Sequence, residues 1–329
     1  MTTALLQDRL VPLCFTVRLL REAAIWMVLL VGALGLSGCA VLSRVQWPAA
    51  DQITPQKTRI LSVPFYPQAR YQCGPAALAM ALTWSGLPTT PRDLIDVVYS
   101  PRRKGSLQLS LVAAARRAGR VAYTIHTAEA LLAEVAAGNP VIVLQNLGLG
   151  IYPVWHYSIV YGYDLQQGQI LMHSGTTAEK IESLRVFGNT WSRSDRWGLL
   201  VLPPGRLPVT ADESGYLTAV AALERSGNWQ ACQIAYEAAR ALWPESATAA
   251  IGLANVLYAQ GNLAGAEIQL RQAALRFPTN ATIQNNFAQV LWERNQHVEA
   301  IEHARKAVQL GGPLVEHYRQ TLQEMLKTP

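Results

Sequence analysis

Two residues have the types and the spacing that nucleophilic catalysis requires, a cysteine at position 73 and a histidine at position 156. Cys73 lies in YPQARYQCGPAALAMAL, where Gly74 and Pro75 suit a tight turn into a helix and an Ala-rich segment follows. At a helix N-terminus, unpaired N–H groups and the helix dipole favour a thiolate, the nucleophilic form of cysteine. His156 opens the strand-like run HYSIVYGYD and can act as the base. Each residue alone is more often a core residue, so the prediction of a catalytic site depends on the pair.

The elements predicted to position this pair lie in one segment, residues 59–205. Residue periodicity and breaks predict helices over 76–85, 106–119 and 128–138. Strand-like runs follow at PVIVLQN, HYSIVYGYD, GQILMHS and GLLVLPP. Helices followed by an antiparallel sheet predict an α+β domain. Because a cysteine at the head of the first helix and a histidine on a later strand is the papain-like arrangement, we predict an α+β papain-like domain.

Three segments of this domain carry a resemblance to a known family. QARYQCGPAALAM, KGSLQLSLVAAARRAG and HYSIVYGYD occur in that order, and together they resemble the double-glycine leader peptidases, papain-like cysteine peptidases that process bacteriocins. The resemblance implies that Cys73 is the nucleophile and His156 the general base. It also implies that the amide of Gln68, five residues before the cysteine, stabilises the oxyanion. Gly105 and Ser106 match a structural helix start rather than a chemical role.

The chain departs from this family at the third catalytic position. There the family has an Asp or Asn, at the end of the strand after the histidine strand, that orients the imidazole. This chain has ILMHSGT at that point, which places His173 or Ser174 there. Asp164 lies at the turn leaving the histidine strand and is expected to point away, and Asn189 is a further candidate. Loss of an orienting group lowers the rate but leaves a working nucleophile, so a Cys/His dyad remains the prediction.

Neither a metal site nor a disulfide framework is predicted. His126, His156 and His173 are the residues that a metal site would use, but their spacing follows no regular ligand pattern. The four cysteines are few and scattered, and they form no C-x-x-C motif. We therefore predict no metal and no cofactor.

A basic loop, SPRRKG at residues 100–105, precedes the second predicted helix. It is either a solvated turn or a contact for an acidic substrate or for lipid headgroups. Residues 59–205 carry thirteen Lys and Arg against eight Asp and Glu, within a chain of net charge +6. This surplus favours anionic surfaces or acidic peptides, and no motif predicts a nucleic-acid partner.

The N-terminal residues have the features of an export signal. Arg18 and Arg21 precede the apolar run AAIWMVLLVGALGL, which ends in the small-residue segment LSGC. LSGC resembles the lipobox of bacterial lipoproteins. The resemblance implies a signal peptide at residues 1–38, lipid attachment at Cys39 and a linker to residue 58. Ala40 resembles the outer-membrane sorting pattern, so the predicted location is the bacterial envelope, facing the periplasm; an uncleaved anchor helix is the alternative.

The C-terminal part repeats itself every 34 residues. Gly227-Asn228 recurs at Gly261-Asn262 and is echoed at Asn295-Gln296. Such a period is typical of helix-pair repeats, and these residues resemble the tetratricopeptide repeat. We predict a linker at 206–211, then an all-α superhelix of three repeats and a capping helix at 212–329. Its small packing positions include Ala219, Cys232, Ala239, Ala254, Ala266, Ala273, Ala288, Ala300, Ala304 and Ala307.

These patterns together predict an envelope-anchored cysteine peptidase that cleaves peptide bonds and has a repeat domain for docking. The resemblance implies cleavage after small residues such as Gly-Gly. The predicted partners are a peptide or protein substrate, a protein bound in the repeat groove, and the membrane through Cys39. Two alternatives stay open: a non-catalytic adaptor in envelope assembly or secretion, and another papain-like acyl-transfer enzyme such as a peptidoglycan amidase or a transglutaminase-like enzyme.

Overall fold

The structure is a computed structural model that describes residues 45–49 and 52–327, together with Met27. Apart from Met27, the predicted signal peptide lies outside the described residues, as does Cys39, the predicted site of lipid attachment. No helix in the described part of the chain is long and apolar enough to cross a membrane. Val45–Pro329 form one compact unit, so the two predicted domains pack against each other.

The first region is an α+β domain built on an antiparallel sheet, as predicted. Its strand order is β4-β9-β5-β6-β7-β8, and β1 pairs with the far end of β6. A separate two-stranded ribbon joins β2 to β3. In chain order the elements are β1 Lys57–Arg59, α1 Cys73–Trp84, α2 Pro91–Val98, β2 Tyr99–Ser100, β3 Gly105–Ser106, α3 Gln108–Arg117, β4 Val121–Ile125, α4 Ala128–Ala136, β5 Val141–Asn146, β6 Trp155–Asp164, β7 Gln169–Ser174, β8 Thr177–Ser183, α5 Leu184–Ser192 and β9 Gly198–Leu202.

Helices cover both faces of the sheet, because alternate residues of each strand point to opposite sides. On β5, Ile142 and Leu144 face the cluster that contains α1 and α3. Val141 and Val143 face the other cluster, which contains α4 and α5. Burial on both sides explains why PVIVLQN is a continuous apolar run rather than an alternating one. The Ala-rich sequence of α1 lets residues 74–82 of this helix lie buried against the sheet.

Most predicted elements of this region are confirmed, and two predictions are wrong. The order of helices followed by strands is wrong, because β4 lies between α3 and α4 and pairs with β9. The second predicted helix begins at Gln108 rather than Ser106, because Gly105 and Ser106 pair with Tyr99 and Ser100. Four further elements had no prediction: β1, α2, β8 and α5. Edge strand β8 alternates exposed and half-buried polar residues and therefore has little hydrophobic pattern.

The second region consists of paired helices in tetratricopeptide-like order. The predicted small positions are buried, and Cys232 is fully buried among them. Small side chains let helix axes approach closely: Gly252 lies so near the Tyr236 ring that an added Cβ would be 2.3 Å from it. The helices are α6 Glu213–Glu224, α7 Trp229–Leu242, α8 Ala247–Ala259, α9 Leu263–Arg276, α10 Ala281–Glu293, α11 His297–Leu310 and α12 Val315–Lys327.

Specific hydrogen bonds join the two regions. The fully buried Glu134 carboxylate of α4 accepts bonds from the backbone N–H and the hydroxyl of Thr210, at 2.8 and 2.6 Å. Asn228, before α7, donates to the Arg116 carbonyl at 3.0 Å. Val121 of β4 also belongs to the apolar core of the repeats. These contacts attach the repeats to the β4 side of the sheet.

Candidate active site

Cys73 and His156 line one cleft, whose volume is about 1190 Å³. Gln68 and Ser106 also border it. One wall comes from the segment before α1 and from the basic turn at 100–105. Another comes from the loop between β5 and β6 and from the segment that follows α5. The cleft therefore gathers residues that lie far apart in the sequence.

Cys73 is the first residue of α1, as the sequence predicts. Gly74 follows because no larger residue fits: an added Cβ would lie 2.4 Å from Ser106 Oγ and 2.5 Å from Ser106 Cβ. The pairing of β6 with β7 stops at Ile159, so the backbone of Tyr157, two residues earlier, faces the thiol and Gln68 instead. Cys73 thus occupies a gap at the open end of the sheet.

The charge state of the thiol differs from the prediction. Burial raises the pKa of Cys73 above its ordinary value. Hydrogen bonds from the N–H groups of Tyr157, Gly74 and Cys73 itself lower the pKa, but by less. The backbone donors at the helix start favour a thiolate, as expected, but desolvation outweighs them and the net shift of the pKa is upward. The Cys73 side chain is therefore a neutral thiol at neutral pH.

Gln68 is held beside the thiol by hydrogen bonds at both ends of its amide. Its Oε1 accepts from the Gly175 N–H at 3.1 Å, and its Nε2 donates to the Tyr157 carbonyl at 3.2 Å. The Gln68 backbone N–H also donates to the Gly175 carbonyl at 3.0 Å. Within the described residues the second Nε2 hydrogen has no acceptor, so it is free to donate to a ligand. This geometry suits the oxyanion role that the family resemblance implies.

His156 begins a chain of polar contacts that runs through the sheet to α5. Its Nε2 lies 3.0 Å from Ser174 Oγ. The Ser158 hydroxyl lies within hydrogen-bond distance of both Ser174 Oγ, at 3.1 Å, and Gln145 Oε1, at 3.2 Å. Gln145 Nε2 donates to Thr190 Oγ1 at 2.8 Å. Ser158 and Gln145 are fully buried, so this network fixes the histidine ring from behind.

Of the proposed third residues, only Ser174 contacts His156. The His173 ring contacts the carbonyls of Val63 and Ala178 instead. Asp164 forms an ion pair with Lys57 at 2.9 Å. It lies at the opposite end of β6, about 26 Å away along a strand of eight residue steps. Asn189 is exposed on α5, outside the cleft lining.

Three network members, Ser158, Gln145 and Thr190, had no functional prediction. The available signal was polarity inside buried strands. Gln145 interrupts the apolar run PVIVLQN, and Ser158 follows His156 at the strand period of two. A buried polar residue must find a partner, so both positions pointed to a network. Thr190 had no such signal, because its helix was not predicted.

The His156 imidazole is also neutral at neutral pH. Burial, helped by the charge of the nearby Lys180, lowers the pKa of His156 to about 4, and Glu182 opposes the shift. Nδ1 of His156 has no hydrogen-bond partner among the described residues, and no hydrogen bond joins this ring to Cys73. Unliganded sites often show such loose catalytic contacts, which tighten when substrate binds. The pair can therefore begin a reaction as neutral thiol and neutral imidazole, with proton transfer during attack.

The other cleft residues include His126, whose Nδ1 lies 3.0 Å from the Asp195 carbonyl oxygen. His156 lines the same cleft, whereas His173 is buried and lies outside the cleft lining. Within residues 45–49 and 52–327, no group of three or more His, Cys, Asp or Glu side chains could hold a metal ion.

Comparison with solved structures finds neighbours described as peptidases and as secretion chaperones. A Bacillus anthracis protein described as a C39-like peptidase is 18% identical, with coverage of 44% of this chain and 96% of that chain and a TM-score of 0.38. The peptidase domain of Streptococcus ComA, a bi-functional ABC transporter involved in quorum sensing, is 23% identical, with coverage of 43% and 98% and a TM-score of 0.36. The Yersinia enterocolitica type III secretion translocator chaperone SycD is 16% identical, with coverage of 35% and 83% and a TM-score of 0.32.

A search of curated proteins found no match. Family models match both regions of the chain. The Peptidase C39-like family matches residues 60–196, which hold Gln68, Cys73, His156 and Ser174. The tetratricopeptide repeat model matches residues 217–276. The chain therefore carries a Peptidase C39-like domain followed by tetratricopeptide repeats.

Proposed function

We propose that this protein is a cysteine peptidase that hydrolyses peptide bonds through Cys73 and His156. The observation that carries the proposal is the shared cleft, in which the thiol, the imidazole and the anchored Gln68 amide meet. The match of residues 60–196 to a peptidase-like family adds support.

In the proposed reaction, His156 takes the proton of Cys73 as Sγ attacks the substrate carbonyl carbon. The second N–H of Gln68 Nε2 donates to the developing oxyanion, a contribution of about 3 kcal/mol in comparable sites. His156 then returns the proton to the leaving amine, and a thioester remains on Cys73. Water, deprotonated by His156, hydrolyses the thioester and restores the thiol.

A mixture of peptides from a bacterial proteome digest, read by mass spectrometry, tests this proposal without a known substrate. The wild-type protein should create new peptide termini, and Cys73→Ala and His156→Gln should not. Cys232→Ala is the matched control, because that cysteine lies in the repeats and should leave cleavage unchanged. New termini that persist in Cys73→Ala would refute the mechanism.

A non-catalytic peptide-binding adaptor is the second candidate. Two observations favour it: the raised pKa of Cys73, and Ser174 in the position where the resembled family has an Asp or Asn. An adaptor would bind peptides in the cleft and produce no new termini in any variant. Reaction of Cys73 with a peptidyl epoxide or vinyl sulfone would then also be absent, which distinguishes an inert thiol from an untested substrate.

We also propose that Cys39 is lipidated and tethers the protein to the outer membrane. The support is the LSGC segment after an apolar run with basic flanks. Metabolic labelling with an alkyne-bearing fatty acid should mark the wild-type protein and leave Cys39→Ser unmarked. Equal labelling of both forms would overturn the assignment.

A further inference from the structure

One wall of the cleft carries a concentration of positive charge. Arg70, Arg103 and Lys104 line it, and Arg102 lies in the same turn as the last two. None of the three lining cations forms an ion pair within the described residues. The only carboxylate among the described residues that line the cleft belongs to Asp195, after α5. The wall therefore has positive charge without a counter-charge of its own.

The backbone holds these cations in place relative to the thiol. The Arg70 guanidinium lies 4.8 Å from the centre of the Tyr71 ring, and Tyr71 adopts φ of 66°, a left-handed conformation uncommon for a tyrosine. Arg103 ends a 3₁₀ turn, and Lys104 is also left-handed, with φ of 48°. The turn leads into Ser106, which packs directly on Gly74 beside Cys73. Both basic segments are thus attached to the start of α1.

Another part of the cleft lining is apolar. The end of the loop between β5 and β6 and the first residue of β6 place Pro153, Val154 and Trp155 in the cleft, directly before His156. The base of this loop is fixed because Arg193 donates to the carbonyls of Asn146 and Gly148, at 3.2 and 2.6 Å. A ligand that fills the cleft would therefore place its acidic groups against the basic wall and not against this loop.

We propose that the cleft selects peptides that carry acidic side chains on the Arg70, Arg103 and Lys104 side of the reacting carbonyl. This inference rests on the proposed function, since it names the substrate class of the same site. Like charges that converge without counter-ions create a positive potential, and a concave wall focuses it. A concave basic wall beside a nucleophile suits a peptide inserted into the cleft better than a flat membrane surface.

Binding rather than turnover tests the proposal. The probes are three fluorescein-labelled decapeptides of Ala, Gly and Leu that differ only in three positions, occupied by Glu, Gln or Lys. The protein is the full chain with Cys73→Ala, which prevents cleavage, and anisotropy gives the dissociation constant. The Glu peptide should bind about tenfold more tightly than the Gln peptide, the Lys peptide should bind most weakly, and added salt should reduce these differences.

Charge reversal assigns the effect to the basic wall. In Arg70→Glu/Arg103→Glu the preference should invert, so that the Lys peptide binds more tightly than the Glu peptide. The matched control is Arg305→Glu/Lys306→Glu on α11, which makes the same change in net charge far along the chain and should leave the preference intact. Inversion in the first double variant alone supports the proposal. Inversion in both would mean that the net charge of the protein, and not the basic wall, sets the peptide preference.

Two other outcomes overturn the proposal. Equal affinities for the Glu and Gln peptides would mean that the basic wall does not select acidic side chains. Sedimentation with vesicles of phosphatidylcholine containing phosphatidylglycerol tests whether the basic wall binds anionic lipid headgroups instead. If the charge reversal abolishes vesicle binding but leaves the peptide preference unchanged, the wall is a lipid contact. Absence of hydrolysis in the wild-type protein would refute the proposed peptidase activity but would leave this binding result standing.

Discussion

Cys73 and Cys232 lie in the two regions of the molecule, each in the first turn of a helix. Burial raises the pKa of both, that of Cys232 to about 12 with a further contribution from Glu224. Cys232 is fully buried among small residues of the repeats, whereas Cys73 borders an open cleft. A helix N-terminus therefore does not decide the charge of a thiol, because desolvation dominates in both cases. Cys73 differs from Cys232 in its access to the cleft and in the polar groups around it, and these two properties make it the candidate nucleophile.

The two regions also differ in how they are built. The cleft combines Gln68, Cys73, His156 and Ser174 from separate elements, so its geometry depends on contacts distant in sequence. The repeats consist of neighbouring helix pairs whose small residues recur at a fixed period. A change in the repeats should affect stability alone, and a change at the cleft should affect stability and reactivity together.

The largest expected effect is the difference in alkylation rate between Cys73 and Cys232. Peptide-resolved alkylation at pH 8 should modify Cys73 at least about 1000 times faster than Cys232, because a fully buried group reacts only after the structure opens, at a cost on the order of 4 kcal/mol. Since the pKa of Cys73 is raised, its rate should still increase above pH 9. Mass spectrometry of the alkylated peptides gives both rates. Similar rates, or a Cys73 rate that levels off below pH 8, would contradict this assignment.

The next effect concerns acid stability. The pKa of His156 is about 4 in the folded protein and near the ordinary 6.5 when unfolded, so the unfolded state binds more protons between these values. Stability is then intact above pH 6.5 and falls as the pH drops toward 4, by roughly 3 kcal/mol in total for a shift of this size. Urea unfolding as a function of pH measures the loss.

A variant comparison isolates the His156 contribution. Burial also lowers the pKa of His173 and of His303 in the repeats, so the whole protein loses stability in acid for several reasons. His156→Gln should remove the part due to the cleft histidine and flatten the profile between pH 6.5 and 4. His303→Gln is the control from the repeats, and it should leave the His156 part in place. An unchanged profile in His156→Gln would show that this ring is not desolvated.

The repeats and the helix that begins at Cys73 could both be predicted from local sequence. A 34-residue period predicts the repeats. Gly74, Pro75 and the Ala-rich run that follows predict the Cys73 helix. Both signals are short-range, because helix formation depends on neighbouring residues. The prediction of Cys232 as a packing residue is confirmed by its full burial for the same reason.

The polar network and the charge states could not be predicted in this way. The contact of Ser174 with His156 depends on the register of β6 and β7, which includes a bulge near Gly162. The raised pKa of Cys73 depends on how deeply the tertiary structure buries the thiol. Neither property is encoded in the nearest neighbours along the chain.

Replacing either of two close-packed glycines, one in each region, should lower the free energy of unfolding by about 2 kcal/mol, which is typical of overpacking. Gly74→Ala would force Cβ against Ser106, and Gly252→Ala would force it against the Tyr236 ring. Both variants should unfold at lower urea concentration. Gly74→Ala should also slow Cys73 alkylation, because it displaces the start of α1, whereas Gly252→Ala should not.

A second-site change tests the Gly74 explanation. Ser106→Gly removes the Oγ and Cβ atoms that an alanine at position 74 would meet. The double variant Gly74→Ala/Ser106→Gly should therefore recover part of the lost stability, as a double-mutant cycle would show. A fully additive loss would mean that the clash with Ser106 is not the cause.

The smallest expected effect lies at Ser174. Ser174→Ala removes the hydroxyl at Nε2 of His156 and should lower peptide cleavage by about fivefold, the equivalent of one neutral hydrogen bond. Ser174→Asp should act in the opposite direction: a carboxylate beside the imidazole raises the pKa of His156 and stabilises the imidazolium formed when the thiol loses its proton. The pH profile of cleavage should then shift its acidic limb upward. If Ser174→Asp leaves both the rate and that limb unchanged, Ser174 supports the fold of the strand and does not position the base.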